Sequence, residues 1–99
     1  FFAINSSVEF RFNPAISLIV NCADQAEMDE LWNKLAADPE QGQCGWLEDK
    51  YGLSWQIVTP KAIELICNPD PVKAAATTRA MAKMKKLDLN ELQRAYDAA

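Results

Sequence analysis

The sequence predicts an α+β domain in which a strand, a helix and two more strands are followed by a helical tail. Three observations lead to this class. Residues 15–22 form a β-branched and aliphatic run, residues 43–58 contain two strand-like segments around a tight turn, and residues 59–99 contain repeated helix-start signals. The 99 residues, 49% of them hydrophobic and 24% charged, suit one small domain with a limited core.

The first part of the chain, residues 1–12, is predicted to be extended. Residues 1–5 favour a short strand, and residues 8–12 alternate apolar and charged side chains, as in a half-exposed strand or linker. Asn13 and Pro14 then break the pattern before the buried strand predicted at 15–22.

The segment after that strand predicts a helix that packs on a sheet. Asp24 is followed three residues later by Glu27, which is a capping-box pattern. Apolar side chains then recur at helical spacing: Met28, Leu31, Trp32 and Leu35. Asp38 and Pro39 are predicted to end this helix.

The stretch from 43 to 58 predicts a hairpin with two different faces. An Asp-Lys-Tyr-Gly turn at 49–52 separates the strands. In the second strand Trp55 and Ile57 lie on one face, which is expected to be packed. The other face carries Ser54, Gln56 and Val58, and is expected to line a polar hollow.

Helices are predicted for the rest of the chain. Thr59 and Pro60 favour a short helix ending near Cys67, and Asp70 with Pro71 begins another that extends to about Lys85. Residues 87–89 are predicted as a brief strand. The spacing of Asp88 and Glu91 predicts the cap of a last amphipathic helix.

Composition limits the function classes. A formal net charge of -4 and a pI near 4.7 provide no general basic field for nucleic acid or acidic membranes. Cys22, Cys44 and Cys67 have neither disulfide-framework nor CxxC spacing, so reduced thiols and a cytoplasmic location are expected. The longest apolar run, 15–20, is far shorter than a membrane span, and no secretory signal is visible.

Two segments resemble a known family: the strand at 15–22 and the run from Cys44-Gly45-Trp46 to Trp55-Gln56-Ile57. The family is the PhnB-like branch of the vicinal-oxygen-chelate superfamily. That superfamily also contains glyoxalase I, bleomycin-resistance proteins and extradiol dioxygenases. The tail from Asn68-Pro69-Asp70-Pro71 to Leu89 is similar to that branch too. The resemblance implies a βαβββ module, the second half of a paired-module fold that curls around a ligand cavity. It implies the last strand of a first module and a linker at 1–12, a βαβ(β) module at 13–59, and a helical tail at 60–99 packed on the sheet. Most of the first module is then expected to be missing.

The resemblance also indicates where a metal would lie and which ligands are changed. Metal-using relatives bind first-row ions through His and Glu on cavity-facing strands. The His position corresponds to about Ala15, and the Glu of a Gly-x-x-x-Glu pattern counts from Gly52 to Gln56. Because the chain contains no histidine, we expect no metal and no other cofactor. A metal-free ligand site is predicted on the strand positions that share the cavity face: Ser17, Ile19, Asn21, Ser54 and Gln56. The alternative for Ser54 and Gln56 is that they fill a polar core or face solvent.

The other chemistry-bearing residues have simpler interpretations. Asp49 is predicted to organise the turn, Trp46 and Trp55 to pack, and Cys44 to be an unreactive thiol. The basic residues of the tail are interpreted as a solvated helix face: Lys73, Arg79, Lys83, Lys85 and Lys86. PhnB-like proteins are sometimes labelled methyltransferases, but the sequence has no glycine-rich strand-to-helix turn to support that label.

Three functions remain open at this point. The first is a metal-free small-molecule-binding or non-catalytic module. The second is a metal-dependent lyase, isomerase or dioxygenase whose ligands lie on the missing first module. The third is a dimeric structural or assembly module, because a half-size sheet leaves strand edges that invite a second copy of the chain. A homodimer is expected, and no nucleic acid or membrane partner.

Overall fold

The computed structural model describes residues 1–4 and 10–99, which form a small α+β unit. Three strands are present in this part of the chain: β1 (Ser17–Asn21), β2 (Trp46–Glu48) and β3 (Ser54–Val58). Four helices accompany them: α1 (Gln25–Leu35), α2 (Pro60–Ile66), α3 (Pro71–Met81) and α4 (Leu89–Ala98). The predicted fold class, with its C-terminal helical tail, is confirmed and is compatible with a half glyoxalase-like module.

The strands form one mixed sheet in the order β1-β3-β2. β1 runs parallel to β3, with Ser17 opposite Ser54, and α1 makes the connection that parallel strands require. β2 is antiparallel to β3, with Trp46 opposite Gln56. The far edge of β2 is covered by the chain leaving α1, since the Ala37 N–H donates to the Glu48 carbonyl at 2.9 Å.

The outer edge of β1 has no strand beside it among the described residues. Residues 1–4 and 10–12 are in no strand, so the strand predicted at 1–5 does not form over its described part. A strand needs a neighbour to accept its backbone hydrogen bonds, and this segment has none in the described chain. The last residue of that predicted strand, and the start of the alternating segment predicted at 8–12, lie outside the described residues.

Each helix begins at the capping residue that the sequence indicates. Asp24 accepts from the Glu27 N–H, Thr59 from the Ala62 N–H, and Asp88 from the Glu91 N–H. Asp70 accepts from the Val72 N–H and precedes Pro71, the first residue of α3. These caps satisfy N–H groups that a helix leaves without an internal partner, so the helix starts are fixed by local sequence.

Two boundaries in the tail differ from prediction. α3 ends at Met81 rather than near Lys85, because the Met84 and Lys85 carbonyls accept from the Cys44 and Gly45 N–H groups at 2.8 and 2.7 Å. The brief strand predicted at 87–89 is absent: Leu87 is buried against the core, and the next residue is already the cap of α4. Both differences arise from contacts between segments distant in sequence.

The core lies between α1, one face of the sheet and the helical tail. Met28 and Trp32 of α1 are buried, as the helical spacing predicts, together with Leu47 and Ile57 of the sheet. The remaining members are Cys22, Val58, Ala62, Leu65, Leu87 and Leu92. In the part of the chain that the structure describes, no helix is long and apolar enough to cross a bilayer.

Gln25 joins the first turn of α1 to the segment that leads into α4. Its side-chain nitrogen donates to the Leu87 carbonyl at 3.0 Å, and its oxygen accepts from the Leu89 N–H at 2.8 Å. Both ends of the amide are therefore used, and the tail is fixed against the module that carries the sheet.

Candidate binding cleft on the sheet

The five side chains predicted to share a face do share one. In the parallel register Ser17 lies opposite Ser54 and Ile19 opposite Gln56, and Asn21 follows in the same alternation. Ala15 lies in the turn before β1, outside the paired residues. The register thus confirms the common face, while a ligand-binding role for these five stays a prediction.

Two of these side chains bond to each other. The Gln56 amide nitrogen donates to the Ser17 hydroxyl oxygen at 2.9 Å. Beside them, Ile19 is 59% exposed and Asn21 is also exposed, so this part of β1 is not the buried strand that the sequence predicts.

The hollow lies over the other half of the same face. It is a cleft of about 530 Å³, within the range of small-molecule sites. Ser54 is the one member of the predicted five that lines it. Its neighbours on this face are Trp46 and Glu48 of β2, because Glu48 lies opposite Ser54 and Trp46 opposite Gln56.

The cleft walls come from segments that sequence reasoning did not select. One wall is the connection between α1 and β2, residues 37–43, and Pro14 contributes from the turn before β1. Antiparallel pairing of β2 could have indicated Trp46 and Glu48, since it places them on the face of Ser54. No local pattern indicates how residues 37–43 fold over the sheet.

Ser54 is the most enclosed polar group of the cleft. The residue is 7% exposed, yet its hydroxyl forms no hydrogen bond with another side chain or backbone group in ranges 1–4 and 10–99. The hydroxyl oxygen is not itself sealed off, because no fully buried side-chain nitrogen or oxygen of the described residues lacks a hydrogen-bond partner. A hydroxyl in this position is suited to bond a molecule that enters the cleft.

Gln43 and Trp46 line this cleft and also a second hollow. The second hollow, of about 340 Å³, is lined by Gln43, Cys44 and Trp46. Trp46 is half-buried, so its ring offers apolar surface to both hollows. An indole in this position can contact the apolar part of a ligand.

Asp49 organises the turn between β2 and β3, as predicted. Its carboxylate accepts from the N–H groups of Tyr51 and Leu53 at 2.8 and 3.0 Å, and from the Trp55 indole at 2.9 Å. Partial burial acts to raise the pKa of Asp49, but the hydrogen bonds from Trp55 and the turn backbone outweigh it and leave the pKa below the ordinary value. The carboxylate is thus held ionised for a structural purpose.

Because the pKa of Asp49 is lowered by folding, its contribution to stability depends on pH. The contribution is complete above the unfolded-state value of about 3.9, and is lost as pH falls through the lower folded-state pKa. We therefore expect Asp49→Asn to be destabilising at pH 7 and the difference from the parent protein to shrink below about pH 4. Urea unfolding at several pH values measures this; a difference that grows towards low pH would contradict it.

The Trp55 side chain is half-buried. Truncating a fully buried indole to alanine typically lowers the free energy of unfolding by about 3–5 kcal/mol, so a smaller loss is expected here. We expect Trp55→Ala to cost about 2 kcal/mol, from lost apolar contact and the lost hydrogen bond to Asp49. Trp55→Phe is the control, since it keeps a ring and removes only the donor, and should cost about 1 kcal/mol. Chemical denaturation of both variants gives the comparison, and equal costs would show that the indole N–H contributes nothing.

The described residues contain no group of three or more His, Cys, Asp or Glu side chains that could hold a metal ion. Cys22 is buried, and burial raises the pKa of its thiol, with Glu27 and Asp24 acting in the same direction. This thiol therefore stays protonated at neutral pH.

The basic residues of the tail were expected to share one helix face, and this prediction is wrong. Only Lys73 and Arg79 lie in α3, while the other three, Lys83, Lys85 and Lys86, lie between α3 and α4. Lys86 pairs with Asp29 at 2.7 Å and Lys73 donates to the Tyr96 carbonyl at 2.9 Å. Lys85 also pairs with Glu40 at 3.9 Å, so three of the five have a partner inside the domain.

The model of a family described as 3-demethylubiquinone-9 3-methyltransferase matches residues 1–58. The match covers more than half of the chain, including the whole sheet, α1 and the cleft, and ends before α2. No curated protein matches the chain.

Proposed function

This chain belongs to the 3-demethylubiquinone-9 3-methyltransferase family, a family of glyoxalase-like domains, and on that premise we propose that it is a small-molecule-binding module that works without a metal ion. Within the glyoxalase superfamily we assign it to the PhnB-like branch. That assignment is supported by the Cys44-Gly45-Trp46 and Trp55-Gln56-Ile57 motifs of the two paired strands.

The observation that carries the proposal is the cleft over β2 and β3. It has a volume of about 530 Å³, and its lining includes Trp46 and the largely buried Ser54. Ligand sites in proteins combine apolar surface with a few fixed polar groups in this way. All the residues that line the cleft lie within 1–58, the part of the chain that the family model matches.

Binding without a metal is supported by the residues at the two ligand positions that relatives use. Alanine at position 15 has no lone pair to donate, and the Gln56 amide is already bonded to the Ser17 hydroxyl. The residues present therefore do not fit a His and Glu metal site, and no step of the proposal passes through an ion.

We do not extend the methyl-transfer activity in the family description to this chain. Its three glycines, Gly42, Gly45 and Gly52, lie in the connection to β2 and in the turn after it. Neither place is the strand-to-helix turn that holds the phosphates of a nucleotide-type cofactor. The proposed activity is binding or sequestration of a small molecule.

Two measurements on the purified protein test the proposal. Elemental analysis should find far less than one Mn, Fe, Co, Ni or Zn per chain, and added Mn²⁺ or Zn²⁺ should leave the thermal unfolding midpoint unchanged. Titration with small aromatic probes should change the fluorescence of Trp46, and Trp46→Phe should remove that change while Trp55→Phe retains it. About one ion per chain would favour instead the metal-dependent enzyme whose other ligands lie outside residues 1–99.

We also propose that the protein forms a homodimer through the outer edge of β1. The proposal is supported by the apolar side chains exposed on that strand and just before it, where Ile16, Leu18 and Ile19 are 70%, 41% and 59% exposed. A strand edge of this kind, which has no neighbouring strand in the described chain, favours pairing with another strand. Light scattering across a concentration series should give twice the chain mass, and Leu18→Lys should shift it towards the monomer; a parent protein that stays monomeric at about 100 μM would refute the dimer.

A further inference from the structure

The side chains that line the cleft carry negative charge. Two ionisable side chains line it, Asp38 and Glu48, and both are acids. Its other polar lining residues are neutral, namely Gln41, Gln43 and Ser54. No lysine or arginine is among the described residues that line it, so the field inside the cleft is negative.

Glu48 and Ser54 are arranged to bind one group together. They are directly opposite each other on antiparallel strands, where Cβ atoms lie about 4.5–5.5 Å apart. Glu48 makes no ion pair with any residue of the described chain, and the hydroxyl of the enclosed Ser54 has no partner there either. One nitrogen carrying several N–H bonds can reach both oxygens.

We infer that the ligand of this cleft carries a protonated amine on an aromatic or aliphatic body, with the ammonium group between Glu48 and Ser54 and the body against Trp46. An ammonium has three N–H donors and no acceptor, which matches an acidic side chain and an unbonded hydroxyl. The indole suits the body because it offers apolar surface and a ring face that attracts cations. This inference rests on the proposed function and specifies the class of ligand.

Three probes of similar size separate the possibilities: 2-phenylethylamine, 2-phenylethanol and phenylacetate. Isothermal titration at pH 7 and low salt should show the amine binding about three- to fivefold more tightly than the alcohol, the gain typical of a partly exposed ion pair. Phenylacetate should bind more weakly than either, because the cleft repels it.

Two charge-matched variants make the test specific. Glu48→Gln should abolish the preference for the amine over the alcohol, while Glu64→Gln, which removes an exposed carboxylate on α2 away from the cleft, should retain both that preference and the binding of the alcohol. Ser54→Ala should weaken the amine about twofold or more, and circular dichroism verifies that each variant is folded.

The outcomes distinguish this inference from the function on which it rests. Equal binding of amine and alcohol, or tightest binding of phenylacetate, would refute the amine class and leave the binding cleft standing. An amine preference that survives Glu48→Gln would also refute it. Absence of binding by all three probes at millimolar concentration would overturn both.

Discussion

Replacing Trp32 with alanine is expected to lower the free energy of unfolding by about 3–5 kcal/mol. The indole is 2% exposed and lies on the face of α1 that packs against the sheet. Its N–H donates to the Pro39 carbonyl at 3.0 Å, so it also fixes the chain as it leaves the helix. Since a domain of this size is stable by only about 5–15 kcal/mol, the loss would remove a large part of the total.

Urea denaturation followed by circular dichroism measures this cost. Trp32→Phe is the matched control: it retains most of the buried ring surface and removes the donor to Pro39, so it should cost clearly less than the alanine variant. Trp46→Ala provides a second comparison, because that indole is half-buried and its loss should cost less than that of Trp32. A cost for Trp32→Ala below about 1 kcal/mol would show that α1 is not held to the sheet by this residue.

Local sequence determined the features of the fold that could be predicted. Asp24 and Glu27 indicate the start of α1, and the apolar spacing that follows identifies Met28 and Trp32 as buried. Alternation along β3 correctly separates Ile57 from Gln56, but Val58, predicted to line the polar hollow beside Gln56, is buried in the core. Each of these signals is read within a few residues, where the chain geometry fixes the direction of the side chains.

The end of α3 and the attachment of the tail could not be read in this way. α3 stops where carbonyls of the following segment accept from the backbone of Cys44 and Gly45, some forty residues earlier in the chain. Gln25 similarly bonds backbone groups near Leu87, although glutamine at a helix start is an ordinary surface residue in any sequence pattern. Such contacts leave no periodic signal in either partner.

The candidate site could be predicted only in part, because its walls also depend on contacts between segments that are distant in sequence. Parallel pairing of β1 and β3 follows from the βαβ order, and it correctly places Ser17 and Gln56 on one face. The cleft is displaced towards β2, because the chain after α1 folds over that end of the sheet. Its depth is therefore set by residues 37–43, which have neither helix nor strand periodicity.

The second large effect is expected at Gly42, within that same connection. Its φ of +132° is a conformation that side-chain-bearing residues rarely adopt. A Cβ at this position would lie 2.6 Å from a ring carbon of Trp32 and 2.7 Å from the Trp46 carbonyl oxygen. We expect Gly42→Ala to cost about 2–5 kcal/mol, adding backbone strain to the displacement of a buried ring and of β2.

Gly52→Ala isolates the contribution of the close contact. That glycine also has a positive φ, +86°, but a Cβ there would meet only the Glu48 carboxylate, at 3.4 Å. It should therefore cost about 1–2 kcal/mol, the strain alone. Equal costs for the two variants, measured by urea unfolding, would mean that Trp32 and the β2 backbone yield freely to a methyl group. The cleft wall at residue 42 would then be easily deformed. A larger cost for Gly42→Ala than for Gly52→Ala means instead that the buried Trp32 ring fixes both the core and the shape of the binding cleft.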